Sequence, residues 1–169
     1  TLSFEEAVEL FAQEVRAGVA AGVDAIVVET MTDLGEARAA VLAAKENSSL
    51  PVLCTMTFEE TKRTFTGASV ESMALVMEGL GVDAVGINCS LGPAQILPIA
   101  EELARWTTLP LIIKPNAGLP SLDGGEMYTL TPEEFADQMV PYLEMGARLV
   151  GGCCGTDPAY IRAIAARMG

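Results

Sequence analysis

The chain has 169 residues, of which 50% are hydrophobic, so it is long enough to bury one sizeable core and we expect a single domain. It carries 10 basic and 23 acidic residues, and this net charge of −13 argues against nucleic acid and anionic membranes as partners. It has four cysteines and no histidine, so a transition-metal site would have to use thiolates and carboxylates.

Helical and extended patterns alternate along the chain. Ser3 and Glu6 have the spacing of a helix-capping box, and an apolar face follows at helical intervals, formed by Phe4, Val8, Phe11, Val15 and Val19. Short apolar runs predict five strands, at 25–28, 51–57, 84–88, 111–114 and 149–152. A helical pattern follows each strand. We place Trp106 on the buried stripe of the helix after the third strand, and Ile161, Ile164 and Met168 mark the last helix.

Strands that alternate with helices in this way predict an α/β fold with a parallel sheet of right-handed βαβ units. The run Gly22-Val23-Asp24-Ala25 returns as Gly81-Val82-Asp83-Ala84 before the third strand. Aligning the repeats, with a looser third copy at 146–149, puts Glu29, Asn88 and Cys153 at one level and Thr30, Cys89 and Cys154 at the next. We therefore expect these residues to share one face.

Three of the four cysteines follow predicted strands, where α/β proteins usually carry their chemistry. Cys89 ends the third strand, and Cys153 and Cys154 end the fifth, just before a helix that starts at Asp157-Pro158. Three thiols are three-quarters of a tetrahedral zinc site. Adjacent residues of a strand face opposite ways, so Cys153 and Cys154 can share a metal only because the strand has just ended.

The spacing of the cysteines favours a barrel over an open sheet. Cys89 and the Cys153–Cys154 pair are separated by one intervening strand, which in a flat sheet means roughly 10 Å. That is too far for thiolates that each bind a metal at about 2.3 Å. Strands that curl into a barrel wall bring their ends closer together.

Each of the other candidate residues has a structural interpretation, and Glu29 and Asn88 have a functional one as well. Cys54 lies in mid-strand, where an inert buried thiol is expected. Glu29 is either an exposed carboxylate or a receptor for a substrate ammonium group. Asn88 either orients a ligand or terminates its strand, and Asn116 lies in a turn-rich segment where asparagine is favoured for backbone reasons. The irregular stretch 116–128 is a candidate active-site loop.

Cysteine usage and hydropathy bear on the compartment. Four cysteines without the spacing of a disulfide scaffold fit a reducing cytosol. No apolar run approaches the roughly 20 residues that span a bilayer, and no signal peptide opens the chain. We expect a cytoplasmic protein with no membrane partner.

Two cysteine motifs, 86–93 and 151–156, resemble the zinc motifs of the homocysteine S-methyltransferase family. The segments 28–34 and 114–120 resemble two further segments of that family. Gly92-Pro93 and Pro115-Asn116-Ala117-Gly118 make the chain most similar to the homocysteine domain of the cobalamin-dependent methionine synthases. The likeness covers essentially the whole chain.

The resemblance implies a partial (β/α)₈ TIM barrel over residues 1–169, made of the last five βα units after one helix. It implies zinc bound by Cys89, Cys153 and Cys154, with the homocysteine sulfur as fourth ligand. These cysteines would be the catalytic residues, and Glu29, Asn88 and Asn116 the substrate-binding ones. The reaction would transfer a methyl group to homocysteine, giving methionine, with cobalamin as methyl carrier in a module of the parent enzyme.

The family's first-strand motif, which helps hold the substrate, has no counterpart here, so we expect the chain alone to be inactive. The first and fifth strands would have bare edges, through which we expect self-association or a covering segment of the chain. Two other interpretations stay open. One is a purely structural zinc site, and the other is a redox or binding module that uses the adjacent thiols.

Overall fold

The computed structural model describes residues 2–119 and 128–168. Within them, helices and strands alternate in this order: α1 Phe4–Ala21, β1 Ile26–Met31, α2 Leu34–Asn47, β2 Val52–Met56, α3 Val70–Gly79, β3 Ala84–Asn88, α4 Pro93–Trp106, β4 Leu111–Lys114, α5 Pro132–Met145, β5 Leu149–Val150 and α6 Pro158–Ala165. The predicted α/β class is confirmed.

Local sequence explains where the helices begin and end. The Ser3–Glu6 capping box forms at the start of α1, and an equivalent box joins Thr131 and Glu134 at the start of α5. Gly22 and Gly146 end these two helices in the left-handed conformation.

The five strands are parallel and lie in the sheet in chain order, β1-β2-β3-β4-β5. A doubly wound sheet reverses its strand order at a switch point, whereas the wall of a TIM barrel does not. Within the described residues, β1 and β5 each pair with one strand only. The strand order therefore fits five consecutive units of a barrel wall.

The sheet has an outer face under the helices and an inner face. The register aligns Val28 with Cys54 and Cys54 with Val85, and all three belong to the main core beneath the helices. Neighbouring residues point the other way, so Val27, Thr55 and Ile112 lie on the inner face. The strands' carboxyl ends on this inner face carry the polar residues considered below.

Gly86 lets β3 and β4 fit together. A Cβ at this position would lie 1.9 Å from the carbonyl oxygen of Ile112. Since that neighbour is backbone, it has no rotamer through which to move away. Only glycine fits at this point of the inner face.

The expected burial of one side chain and the expected bounds of some strands were wrong. Trp106, expected on a buried stripe, is 41% exposed. Trp106 is the last residue of α4, so its side chain lies at the end of the helix. The fifth strand stops at Val150 rather than Gly152, while β1 runs on to Met31. Among the described residues, no helix is both long and apolar enough to cross a membrane.

Candidate metal centre

Three thiols meet at the carboxyl ends of β3 and β5. The sulfur atoms of Cys89, Cys153 and Cys154 all lie within 4.8 Å of one another. The Sγ–Sγ distance is 3.6 Å between Cys89 and Cys154 and 4.0 Å between Cys153 and Cys154. Tetrahedral zinc with Zn–S bonds of about 2.3 Å separates its sulfur ligands by about 3.8 Å. The donor set and its spacing therefore fit zinc.

The segment that follows β4 ties the two cysteine segments together through backbone hydrogen bonds. The N–H of Cys89 donates to the carbonyl of Lys114 at 3.1 Å, and the N–H of Cys153 donates to the carbonyl of Pro115 at 2.8 Å. The carbonyl of Cys154 accepts from Ala117 at 2.9 Å. Thus β4 and its loop set the distance between ligands that belong to different strands.

The backbone near the thiols takes unusual conformations. Thr30, Cys89 and Ser90 have φ values of 60°, 63° and 57°, in the left-handed region that non-glycine residues rarely adopt. Such strain concentrates at functional sites, where surrounding contacts enforce it. At Cys89 it turns the chain directly after β3, at the point where the thiol meets the β5 cysteines.

Asn88 is the hydrogen-bonding centre beneath the thiols and is fully buried. Its Oδ1 accepts from the Thr30 N–H at 3.0 Å and from the Thr55 hydroxyl at 2.7 Å. Its Nδ2 donates to the Thr30 hydroxyl at 2.6 Å and to the Cys153 sulfur at 3.9 Å. The amide is thus occupied by protein groups of β1, β2 and the segment that follows β5. The substrate contact expected for Asn88 stays a prediction, and this geometry gives it a positioning role.

Asn116 is also buried, and its Oδ1 accepts from the backbone N–H of Cys154 at 3.1 Å. Its predicted contact with substrate likewise stays a prediction. Tyr128 ends the candidate loop 116–128 but was not singled out from the sequence, and its side chain hydrogen-bonds to Cys154. The Tyr128 ring fills the space above Gly155, where a Cβ would lie 2.3 Å from the ring carbon Cγ.

The three thiols do not share one electrostatic environment. Burial raises the pKa of Cys153 to about 12. The pKa of Cys154 is lowered, mainly by its hydrogen bond with Cys89 and further by those with Cys153 and Tyr128. Without metal, Cys154 therefore ionises before Cys153. Cys54, outside the cluster, has its pKa raised to about 12 by burial, as an inert core thiol should.

Glu29 and Lys114 form an ion pair across the inner face. Glu29 belongs to β1 and Lys114 ends β4, so two strands separate them in the sheet. Glu29 was singled out from the sequence as an ammonium receptor, and here it contacts a lysine ammonium. Lys114 was given no role, although its alternation with Ile112 places it on the inner face. The candidate loop is described only at 116–119 and Tyr128, so the rest of it, with Pro120 of the motif, lies outside the described residues.

Comparison with known proteins finds a matching family model and similar curated proteins. The family model described as homocysteine S-methyltransferase matches residues 1–168. The methionine synthase of Mycobacterium tuberculosis is 41% identical over 152 residues, and that of Mycobacterium leprae is 39% identical over 152 residues. Each match covers 86% of this chain but only 13% of the relative, so the chain spans a small part of these proteins.

Solved structures show the same likeness. The metallated form of the homocysteine methyltransferase MmuM from Escherichia coli superposes with a TM-score of 0.77 at 28% identity, over 95% of this chain and 52% of that one. The carboxyl transferase domain of Rhizobium etli pyruvate carboxylase matches with a TM-score of 0.61 at 16% identity, over 94% of this chain and 31% of that one, which shows the fold alone. The chain thus corresponds to about half of MmuM, consistent with the predicted partial barrel.

Proposed function

The chain belongs to the homocysteine S-methyltransferase family, and from this premise we propose that it binds zinc through Cys89, Cys153 and Cys154 for methyl transfer to homocysteine, giving methionine. One observation carries the proposal. Three sulfur atoms, from the segments that follow two non-adjacent strands, lie within 4.8 Å of one another.

A metal at the three cysteines would raise the thiolate fraction of the substrate thiol. A free thiol has a pKa of about 8.5 and is only a few per cent thiolate at neutral pH. Zinc bound by the three cysteines would hold the homocysteine sulfur as a thiolate and so supply the nucleophile. That sulfur attacks the methyl carbon, forming the S–C bond while the bond to the donor breaks and the donor keeps the electron pair.

The chain's own residues prepare this site in two ways. Asn88 donates to the Cys153 sulfur and Tyr128 hydrogen-bonds to Cys154, so groups behind the ligands orient them. Glu29, partly exposed on the inner face, is proposed to receive the substrate ammonium group. Asn88 and Asn116 act behind them by holding the Thr30 and Cys154 backbones.

We propose methylcobalamin as the methyl donor. Support comes from the match to two methionine synthases and from the motif variants Gly92-Pro93 and Pro115-Asn116-Ala117-Gly118. The chain covers 13% of those relatives, so the cobalamin module is proposed as a partner supplied by the larger protein. The cytoplasm, where thiols stay reduced, is the proposed compartment.

Zinc analysis with and without homocysteine tests the proposal. We expect one zinc per chain, with X-ray absorption showing three sulfur ligands that become four when homocysteine is added. Coordination that homocysteine leaves unchanged would indicate a purely structural metal. Metal-free protein purified under reducing conditions would instead favour the redox or binding module. We expect zinc binding without turnover from this chain alone.

A further inference from the structure

The Glu29–Lys114 ion pair is accessible from the inner face, at the same strand ends as the thiols. The Glu29 side chain is 42% exposed and that of Lys114 is 26% exposed. A pair buried for stability would be closed off from solvent, whereas this one is open to a solute.

Lys114 is built into the surroundings of the thiols. Its carbonyl accepts the N–H of Cys89. Its side-chain stem passes Gly151, where a Cβ would lie 3.5 Å from Cγ and 3.6 Å from Cδ. Gly151 lies two residues before Cys153, so the stem of Lys114 runs alongside the segment that carries the second and third thiols.

Glu29 is connected to the thiols through the neighbouring residue Thr30. It precedes Thr30, which Asn88 holds through two hydrogen bonds, and the same Asn88 amide contacts the Cys153 sulfur. Both residues of the ion pair are thus connected to the thiol segments, Glu29 through Thr30 and Asn88, and Lys114 through its own carbonyl and stem. A ligand whose sulfur lies at the thiols would meet both.

Two other basic residues at this end of the sheet have partners in α4 and in their own loop. Lys62 and Arg63 lie in the loop after β2. Lys62 pairs with Glu102 at 2.9 Å, and Arg63 donates to the Gly67 carbonyl at 2.9 Å. Residues 120–127 contain no lysine or arginine. Of these three cations, Lys114 is the one whose stem lies beside the segment that carries Cys153 and Cys154.

Building on the proposed function, we propose that Lys114 is a specificity residue that binds the α-carboxylate of the amino-acid substrate while Glu29 binds its ammonium group. A zwitterion carries both charges on one carbon, as close together as the paired side chains are. On binding, the Glu29–Lys114 contact is exchanged for a Glu29–ammonium and a Lys114–carboxylate contact. Each charge keeps an opposite partner throughout, so no charge is left desolvated and unpaired.

Two truncated ligands separate this role from a purely structural one. Aminopropanethiol is homocysteine without its carboxylate, and mercaptobutanoate is homocysteine without its amino group. The affinities of all three thiols for the zinc-loaded chain are measured by calorimetry, for wild type and for Lys114→Met, Lys114→Arg and Glu29→Gln. Zinc content is determined for each variant to verify that the site is intact.

We expect Lys114→Met to lower the affinity for homocysteine and for mercaptobutanoate by about tenfold or more, because a charge-assisted contact is lost. The same variant should leave aminopropanethiol bound as well as before or better, since Glu29 is then free. Glu29→Gln should weaken the binding of homocysteine and aminopropanethiol and leave that of mercaptobutanoate as tight as before or tighter. Lys114→Arg should retain most of the affinity for homocysteine. Lys62→Met removes another ion-paired lysine at the same end and should change none of the three affinities.

The outcomes distinguish the two proposals. If the wild-type chain binds zinc but no homocysteine, the proposed function fails and this inference with it. Suppose instead that wild type binds homocysteine and that Lys114→Met binds both homocysteine and mercaptobutanoate as tightly as wild type does. Lys114 is then only the counter-ion of Glu29, and the inference alone is overturned.

Discussion

Asn88 and Thr30 exchange two hydrogen bonds across an intervening strand. The Asn88 Oδ1 accepts the Thr30 N–H at 3.0 Å, and its Nδ2 donates to the Thr30 hydroxyl at 2.6 Å. Thr30 has a φ of 60°, which is costly for a β-branched residue. The buried amide thus compensates for a strained backbone one residue after Glu29.

Replacing Asn88 with alanine should therefore destabilise the fold by about 3 kcal/mol, because the Thr30 N–H and the Thr55 hydroxyl would lose their shared acceptor in a buried place. Urea unfolding measures the change. Asn47→Ala, which removes an amide from the end of α2, is the control and should cost less than about 1 kcal/mol. Equal costs for the two variants would contradict the role given to Asn88.

Zinc content should depend on three cysteines and not on the fourth. Cys89→Ala, Cys153→Ala and Cys154→Ala should each lower bound zinc sharply, because each removes one sulfur from the cluster. Cys54→Ala should leave it nearly unchanged, since that thiol is buried on the outer face beneath the helices. Metal analysis of the purified variants measures the zinc content. The ligand assignment is wrong if Cys54 proves as necessary for zinc binding as the other three cysteines.

Gly86 and Gly79 should respond in opposite ways to the same added methyl group. At Gly86 a Cβ would lie 1.9 Å from a backbone oxygen, so Gly86→Ala should cost more than about 3 kcal/mol. Gly79 ends α3 with nothing within 4 Å of a Cβ. Gly79→Ala should therefore be neutral or stabilise by up to about 1 kcal/mol. Thermal unfolding of both variants gives the comparison, and a well-folded Gly86→Ala would contradict the close approach of β3 and β4.

Asp83 should make stability depend on pH. The hydrogen bond from the Val52 N–H, assisted by Lys45, lowers the pKa of Asp83. A carboxyl whose folded pKa is lowered contributes stability above its unfolded pKa of about 4, and this contribution is lost as the pH falls through the folded value. Asp83→Asn should therefore lower the urea midpoint at pH 7 and have progressively less effect below about pH 4.

The internal repeat supplies the control for this variant. Asp24 occupies the equivalent position before β1, and among the described residues no hydrogen bond to its side chain is found. Asp24→Asn should leave the urea midpoint nearly unchanged at both pH values. A pH-dependent effect as large as that of Asp83→Asn would show that the Val52 contact is not the cause.

The open edge of β1 should promote self-association. Val27, on the inner face of this edge strand, is 50% exposed, and β1 has one strand partner within the described residues. Light scattering should show concentration-dependent oligomers, and Val27→Lys should shift them towards monomer because a charge blocks apolar edge pairing. Glu71→Lys, on α3 away from the edge, is the control. Monomeric wild type at high concentration would exclude this prediction.

Much of the fold follows from local sequence. Residues 84–88 and 111–114 were predicted as strands and form β3 and β4 with those bounds. Each is a compact apolar run with turn residues beside it, so local pattern suffices. The exposure of Trp106 was missed because helical spacing identifies an apolar stripe but not whether another element covers it.

The site was only partly predictable for a similar reason. The proximity of Cys89 to Cys153 and Cys154 followed from their common position after parallel strands. The Glu29–Lys114 contact spans three strand pairings and depends on how strongly the sheet curves. No local pattern encodes that curvature, so Lys114 was placed on a strand but not at the site.

The separation of the cysteines in sequence has a consequence for how the molecule opens. Cys89 and Cys154 are 65 positions apart, so a metal that binds both closes a long loop containing α4, β4, α5 and β5. Loop closure of this kind restricts the unfolded chain much as a cross-link does. Hydrogen exchange should therefore slow on metal loading in 89–154, while α1 and β1, outside the loop, continue to exchange through their own local opening. Zinc supply would then set the lifetime of the carboxyl-terminal half of the fold separately from that of the amino-terminal helix and strand.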